Sequence, residues 1–415
     1  MRINGLDSVG TNQRKTQILL MFFLVTMANY NIYIGFALKP YMLFCFILLL
    51  VYFQSIRLVQ LQLFEVAMLV FYSVYALSGA FALYSISSLR IVIGIMLYLF
   101  CYFIIKSLLE GVHTSLIGMA IGYAGVLFNS ISLVLYVVGL KRVGFYFDTG
   151  GERVIELGLM IDRNYPRLIG VLQDPNFFVF YNTMFFAYYL CNTKGFWNKL
   201  GLMLCLTTNV LTFSRGGIVI MVVLTLFYLL FQDPMKQWKK ILGLVISFTL
   251  ASFVAIYFLH FDLLSILDSR MKDFSADGGS GRLELWGRAW GYFQENPWTG
   301  IGAFNFADYN WFEYGTDLSV HNTFLDVLSD AGLIGILFYF LFLSLCLFQM
   351  VLNRVYKKQP YLFLTFVGMV LQMAFLSVII NDIFFLFLAI LSTFLNQDHV
   401  SRNSSSDVRT KINEA

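Results

Sequence analysis

Residues 200–231 read LGLMLCLTTNVLTFSRGGIVIMVVLTLFYLLF. The run is too long for one membrane span, which takes about 20 residues, and each half is short for one. Charge decides between the two readings, because lysine and arginine collect on the cytoplasmic side. Split at Ser214-Arg215-Gly216-Gly217, the chain counts twelve spans with both termini cytoplasmic. The inner side then receives Arg2, Arg14, Lys15, Arg57, Lys106, Lys194, Lys199, Lys236, Lys239, Lys240, Arg354, Lys357, Lys358, Arg402, Arg409 and Lys411. The short outer connections keep only Lys39, Arg90 and Arg215. Merging the halves would turn the basic stretches 236–240 and 354–358 outward. The spans expected are 18–38, 41–56, 62–80, 90–109, 114–139, 176–191, 200–213, 217–231, 241–260, 322–351, 361–380 and 383–395.

Composition agrees with this all-α, polytopic helical membrane architecture. The 415 residues are 59% hydrophobic and 13% charged, against about 45–50% and about 25% in ordinary globular chains. Cys45, Cys101, Cys191, Cys205 and Cys346 are scattered singly, so neither a disulfide framework nor a zinc site is indicated. With only four histidines, a metal centre is not expected either. The net charge of +4 comes largely from membrane-flanking lysines and does not point to nucleic acid. The first apolar run is full length and lacks a small-residue cleavage site, so the first helix is expected to stay. Residues 1–415 form one integral membrane domain with two long outer loops, 141–173 and 261–321, and a disordered cytoplasmic tail, 396–415.

Polar residues concentrate in four places. Asp174-Pro175-Asn176 opens the sixth span. Asp is a good N-cap and Pro suits the first helical position; the alternative is that Asn176, with Arg163 or Arg167 just before it, touches a ligand. The stretch 141–174 carries five basic and five acidic residues, so it is balanced rather than an anion-attracting patch. Arg215 sits either in a tight outer hairpin with its guanidinium snorkelling to the interface, or recessed in the outer leaflet. A recessed, always-charged fork of donors suits a lipid phosphate. Ser280-Gly281-Arg282 precedes a helix with Leu283, Trp286, Ala289, Trp290 and Phe293 at three- and four-residue spacing, a stripe that suits an interfacial helix. Arg288 stands four residues from Glu284 and can pair with it. Arg282 in the first turn opposes the helix dipole, so it is not there for helix stability; that helix start could hold an anion.

His321 stands at the mouth of the tenth span, behind the second long loop. A helix N-terminus disfavours imidazolium and leaves a ring able to accept a proton near neutral pH. Asn322, Asp326 and Asp330 follow at four-residue spacing, a polar stripe that must face protein or water rather than lipid. These features make His321 the candidate general base, with the bland alternative a histidine bonded to its own loop.

Taken in order, these pieces resemble the bacterial O-antigen ligase and polymerase family. The resemblance rests on Leu211-Thr212-Phe213-Ser214-Arg215-Gly216, on Ser280-Gly281-Arg282 with Trp286, and on the turn Asn296-Pro297…Gly300-Ile301-Gly302. It continues through His321-Asn322, Leu325 and Ala331-Gly332-Leu333-Ile334-Gly335, and the Asp174-Pro175-Asn176 start is similar to many members. The resemblance implies glycosyl transfer at the outer face of the bacterial cytoplasmic membrane, from a glycan on undecaprenyl diphosphate to a sugar hydroxyl, with no metal or other cofactor. It implies that Arg215 and Arg282 hold the donor diphosphate and that His321 is the essential histidine. Arg163, Arg167, Asn176, Arg288 and Asn322 are further candidate substrate contacts. Trp286, Trp290, Trp298 and Trp311 offer faces to sugars. A chain-length regulator and a flippase are the protein partners implied. Paired arginine loops with a glycine eleven positions on, as in some polymerases, are absent at Arg153, Arg163 and Arg167, so the role of the 141–174 stretch stays open.

Polymerase is the reading chosen over ligase, on the well-formed Asp-Pro-Asn start. Three rivals lie outside the family. A secondary transporter or a lipid flippase would place its charge in the bundle, and transporters often repeat their halves; here the halves do not match and the polar residues lie in the outer loops. A lipid-linked sugar transferase with an acidic first outer loop is opposed by a first outer connection of only Lys39-Pro40.

Overall fold

The computed structural model describes residues 4–33, 36–53, 60–150, 152–162, 164–230 and 281–413, with scattered positions between 242 and 253. The helices are α1 (Asn4–Thr26), α2 (Pro40–Tyr52), α3 (Leu63–Ser78), α4 (Ser85–Leu109), α5 (Thr114–Arg142), α6 (Pro175–Cys191), α7 (Phe196–Leu211) and α8 (Arg215–Leu230). After the second loop come α9 (Arg282–Glu295), α10 (Phe306–Tyr314), α11 (Thr323–Leu352), α12 (Val355–Lys358), α13 (Pro360–Met373) and α14 (Asp382–Asn413). A helix stands at each expected span except the ninth, 241–260, most of which lies outside the described residues. Leu63–Phe81, Ser85–Leu109, Thr114–Arg142 and Thr323–Leu352 are long and apolar enough to cross a membrane; Pro40–Tyr52, Arg215–Leu230 and Pro360–Met373 are shorter apolar helices. The protein is thus mostly helical with membrane-length segments.

Helix starts follow local chemistry. Pro40, Pro175 and Pro360 each occupy the first turn of their helices, where the missing N–H costs nothing. Gln62 and Glu65 form a reciprocal capping box on α3. Two ends differ most from expectation. α1 stops at Thr26 and the chain turns through a short antiparallel pair, β1 (Ile32–Tyr33) with β2 (Ala37–Leu38), instead of continuing to residue 38; Asn29 and Asn31 favour turns over helix. The last helix runs to Asn413, through the tail read as disordered. Between Asp382 and Asn413 there is no glycine or proline to stop it.

Two pairs of opposite charges lie inside the bundle. Lys106 Nζ lies 2.7 Å from Glu65, both side chains at most 1% exposed, and it also donates to the Gln60 carbonyl at 2.9 Å. At the start of α14, Asp382 accepts from Lys39 at 2.7 Å, from Tyr41 at 2.8 Å and from Tyr181 at 2.7 Å. Each pair joins helices far apart in sequence, and either partner alone would be a costly buried charge.

Two features set the geometry of the mouth formed by the two long loops. First, the 141–173 loop is not irregular. It forms an antiparallel sheet of β3 (Val154–Glu156), β4 (Leu159–Asp162) and β5 (Tyr165–Leu168), with β4 in the middle. Leu159, Met160, Ile161, Tyr165 and Leu168 are buried. Gly158 lets the sheet touch α5, since a Cβ there would meet the Tyr136 amide nitrogen at 2.7 Å.

Second, α11 is interrupted. Gly332 has φ 62° and ψ −160°, so the amides of Leu333 and Ile334 leave the helical ladder and donate to the carbonyls of Pro297 (2.8 Å) and Trp298 (3.3 Å). The carbonyls they would have met, Ser329 and Asp330, accept instead from Ile301 and Gly302, both at 2.9 Å. The Asn296–Gly302 turn is therefore spliced into the helix, backbone for backbone. It needs Gly300, whose added Cβ would lie 2.4 Å from the Asp330 carbonyl carbon, and Gly332, whose Cβ would lie 2.4 Å from Trp298. The Asp330 carboxylate closes the joint, accepting from Phe304 N (3.0 Å), Phe306 N (3.3 Å) and Tyr75 Oη (2.7 Å).

Candidate active site

Four helix starts meet at this mouth. Asp174 caps α6, accepting from the amides of Asn176 (2.7 Å) and Phe177 (3.2 Å). Ser214 caps α8, accepting from Gly217 N at 3.2 Å, and its hydroxyl donates to Asn176 Oδ1 at 2.9 Å, which locks the two starts together. Arg215 is the first residue of α8. Asn322 caps α11, accepting from Phe324 N (3.0 Å) and Leu325 N (3.2 Å). The fourth start is that of α9, at Arg282. Trp286 Nε1 donates to the Val320 carbonyl at 3.1 Å, which fixes α9 beside the segment leading to His321.

The electrostatics show which side chains are neighbours. Burial lowers the Arg282 pKa, Asp174 opposes that, and Arg167 and Arg215 lower it further. Arg167, only 8% exposed, is also lowered by burial and steadied by Asp174 and Asp162. Its Nε donates to the Thr212 carbonyl at 3.2 Å, tying β5 to the turn that presents Arg215. His321 is half-buried with φ 55°. Its pKa is lowered first by burial and then by Arg282, and is raised by Asp174. The ring is therefore neutral at pH 7, held so by burial and the nearby Arg282 guanidinium. His321 lies two residues before α11 begins.

Arg167, Arg215, Arg282, His321 and Asp174 thus lie close together from separate stretches of chain, with Arg282 in the middle. Three guanidiniums, with Asp174 and Asp162 beside them, meet at helix starts whose free amides also favour negative charge. Asp174, read from sequence only as a cap, also supplies a counter-charge; its closeness in sequence to Arg167 was the available signal.

Other expected contacts fall differently. Asn322 and Asn176 spend their side-chain oxygens on the α11 cap and on Ser214. Arg288 is held within the outer loop by Glu284 and Asn310, with its guanidinium 3.6 Å from the centre of the Tyr314 ring. Arg163 lies outside the described residues, as does 261–280 of the second loop. The buried face of α9 is Leu285, Ala289 and Tyr292, packed on Ile301, Phe306 and Val320. Leu283 and Trp290 of the expected stripe are exposed instead.

Fold and site together describe a mostly helical protein with membrane-length segments and a mouth lined by guanidiniums. Residues 200–340 match the family model described as O-antigen ligase. That places this region, which holds Arg215, Arg282 and His321, in the O-antigen ligase/polymerase family. No curated protein matches the chain.

Proposed function

We propose that the protein is a glycosyltransferase of the bacterial inner membrane that polymerises undecaprenyl-diphosphate-linked oligosaccharide repeat units at the outer face, both termini being cytoplasmic. The observation that carries this reading is the convergence of Arg167, Arg215 and Arg282 with a neutral His321 at four helix starts. The arginines bind the donor diphosphate. His321 takes the proton from the acceptor hydroxyl as its oxygen attacks the anomeric carbon. The bond from that carbon to the diphosphate oxygen breaks, and the electron pair leaves with undecaprenyl diphosphate. Fixed guanidiniums in a half-buried mouth stabilise that charge, and a positioned base contributes about 10²–10⁴-fold. No step calls on a metal ion or other cofactor. Donor binding helps the base: phosphate charge beside Arg282 offsets the field that holds the imidazole pKa down.

The ligase reading, transfer of finished glycan to lipid A–core, is favoured by the description of the matched family. A gel of surface polysaccharide and lipid-linked intermediates from a strain lacking the protein separates the two. Glycan cut to single repeat units supports polymerase; long glycan stranded on the polyprenyl carrier supports ligase. In the complemented strain His321→Ala and Arg215→Ala should each abolish product at unchanged protein level. Full activity in either removes the site assignment.

A further inference from the structure

Below the spliced joint lies a cavity of about 120 Å³ lined by Asp326, Asp330, Ser319 and Ser377 among apolar side chains that include Phe306 and Ile379. One water needs only about 10–15 Å³ on this measure, so the space is roomy enough for several. Asp326 is 5% exposed; the Ser377 hydroxyl and the Val320 backbone are its neighbours, but among the described residues its Oδ2 and Ser377 Oγ make no close hydrogen bond. Among the described residues no lysine, arginine or histidine lines the cavity. Asp330, one helical turn on, is already supplied by Tyr75 and two amides, yet its Oδ1 takes only the 3.3 Å bond from Phe306 N. A second acceptor position on that oxygen is open.

An ionised carboxylate oxygen left without a donor in an apolar wall is costly. The occupant that removes the cost must be small, positive and satisfied by oxygen. We propose that this cavity binds a sodium ion, held by the Asp326 carboxylate, Asp330 Oδ1 and the Ser377 and Ser319 hydroxyls, with water completing the shell. Hard oxygen donors select alkali and alkaline-earth cations. Tyr75 and the amides of Phe304 and Phe306 already stabilise Asp330, so the ion is placed chiefly by Asp326. The ion braces α11 where it matters: Thr323 donates through its amide to the Leu376 carbonyl at 3.1 Å and accepts at Oγ1 from Val378 N at 3.0 Å. Sodium therefore ties the start of α11, two residues from His321, to the 304–307 segment and to the connector before α14.

The test uses the purified full-length protein in detergent. Its thermal unfolding midpoint is measured in sodium, potassium, calcium and N-methylglucamine chlorides at equal ionic strength. Sodium should raise the midpoint by a constant increment per tenfold in concentration above saturation, as linkage requires, and N-methylglucamine should not. Asp326→Asn and, separately, Ser377→Ala should remove or blunt the sodium response, and either variant suffices if the other fails to fold. Equal midpoints in all salts, or a sodium response retained in both variants, would overturn the proposal. So would a response to calcium alone, or to acidification without sodium, which would put a divalent ion or a proton in the cavity.

Discussion

Gly332→Ala discriminates sharply between an interrupted α11 and the continuous helix its apolar pattern suggests. In a continuous helix the change would stabilise by about 0.5–1 kcal/mol, because alanine has less backbone freedom to lose. In the interrupted helix the residue must hold φ 62° and ψ −160°, which costs a non-glycine residue about 1–3 kcal/mol. Its Cβ would also lie 2.4 Å from the Trp298 carbonyl carbon and oxygen, and backbone cannot yield as a side-chain tip can. Relieving that contact by moving the turn breaks the four cross-bonds of the joint, at roughly 0.5–1.5 kcal/mol each. The two terms together put the loss at about 3 kcal/mol or more. Denaturant or thermal unfolding in detergent reads the sign directly. Gly287→Ala in α9, where a Cβ would meet nothing within 4 Å, is the matched control and should be neutral or stabilising. A Gly332→Ala protein as stable as wild type would refute the splice.

Further outcomes follow from the same geometry. The acid limb of the kcat/KM profile should lie below the ordinary imidazole value of about 6.5. Asp174→Asn, which keeps the cap but removes a charge that raises the His321 pKa, should move it lower; residual activity in Arg282→Gln should show it moved higher. Shifts in the same direction would undo this account of His321. Asn322→Ala should cost about 0.5–2 kcal/mol as a lost N-cap, with Asn322→Ser recovering most of it and donor KM little changed; a large rise in KM at unchanged stability would restore Asn322 as a substrate contact. Lys106→Met should cost about 3–5 kcal/mol, and adding Glu65→Leu should recover much of it. A single variant as stable as the double would mean that the pair is not buried together.

The helices were legible because length, apolar runs and the Pro and Asp starts are local signals; Pro175 and Asp174 sit where the chemistry of caps puts them. The polar stripe of Asp326 and Asp330 was legible too, since a carboxylate on an apolar helix has to face something other than lipid. The sheet at 154–168 was not, because its strands are three or four residues long and their apolar sides face the bundle rather than each other. Nor was the interruption at Gly332, as a glycine in an apolar run leaves the helical period intact. The gathering of Arg167, Arg215, Arg282 and His321 depends on contacts between distant stretches. Sequence could name Arg215, Arg282 and His321 by motif, but it left Arg167 and Arg288 on equal terms, and only packing separates them.

The splice also bears on how the chain is made. The Asn296–Gly302 turn precedes residues 329–334 in the chain, so during synthesis it leaves the ribosome before its receiving helix. When α11 enters the membrane, the carbonyls of Ser329 and Asp330 and the amides of Leu333 and Ile334 need partners at once, because hydrocarbon offers none. The turn is already there to supply them. Vectorial synthesis thus delivers the plug ahead of the gap it fills, and a circular permutant that reversed this order would have to insert α11 with its break open.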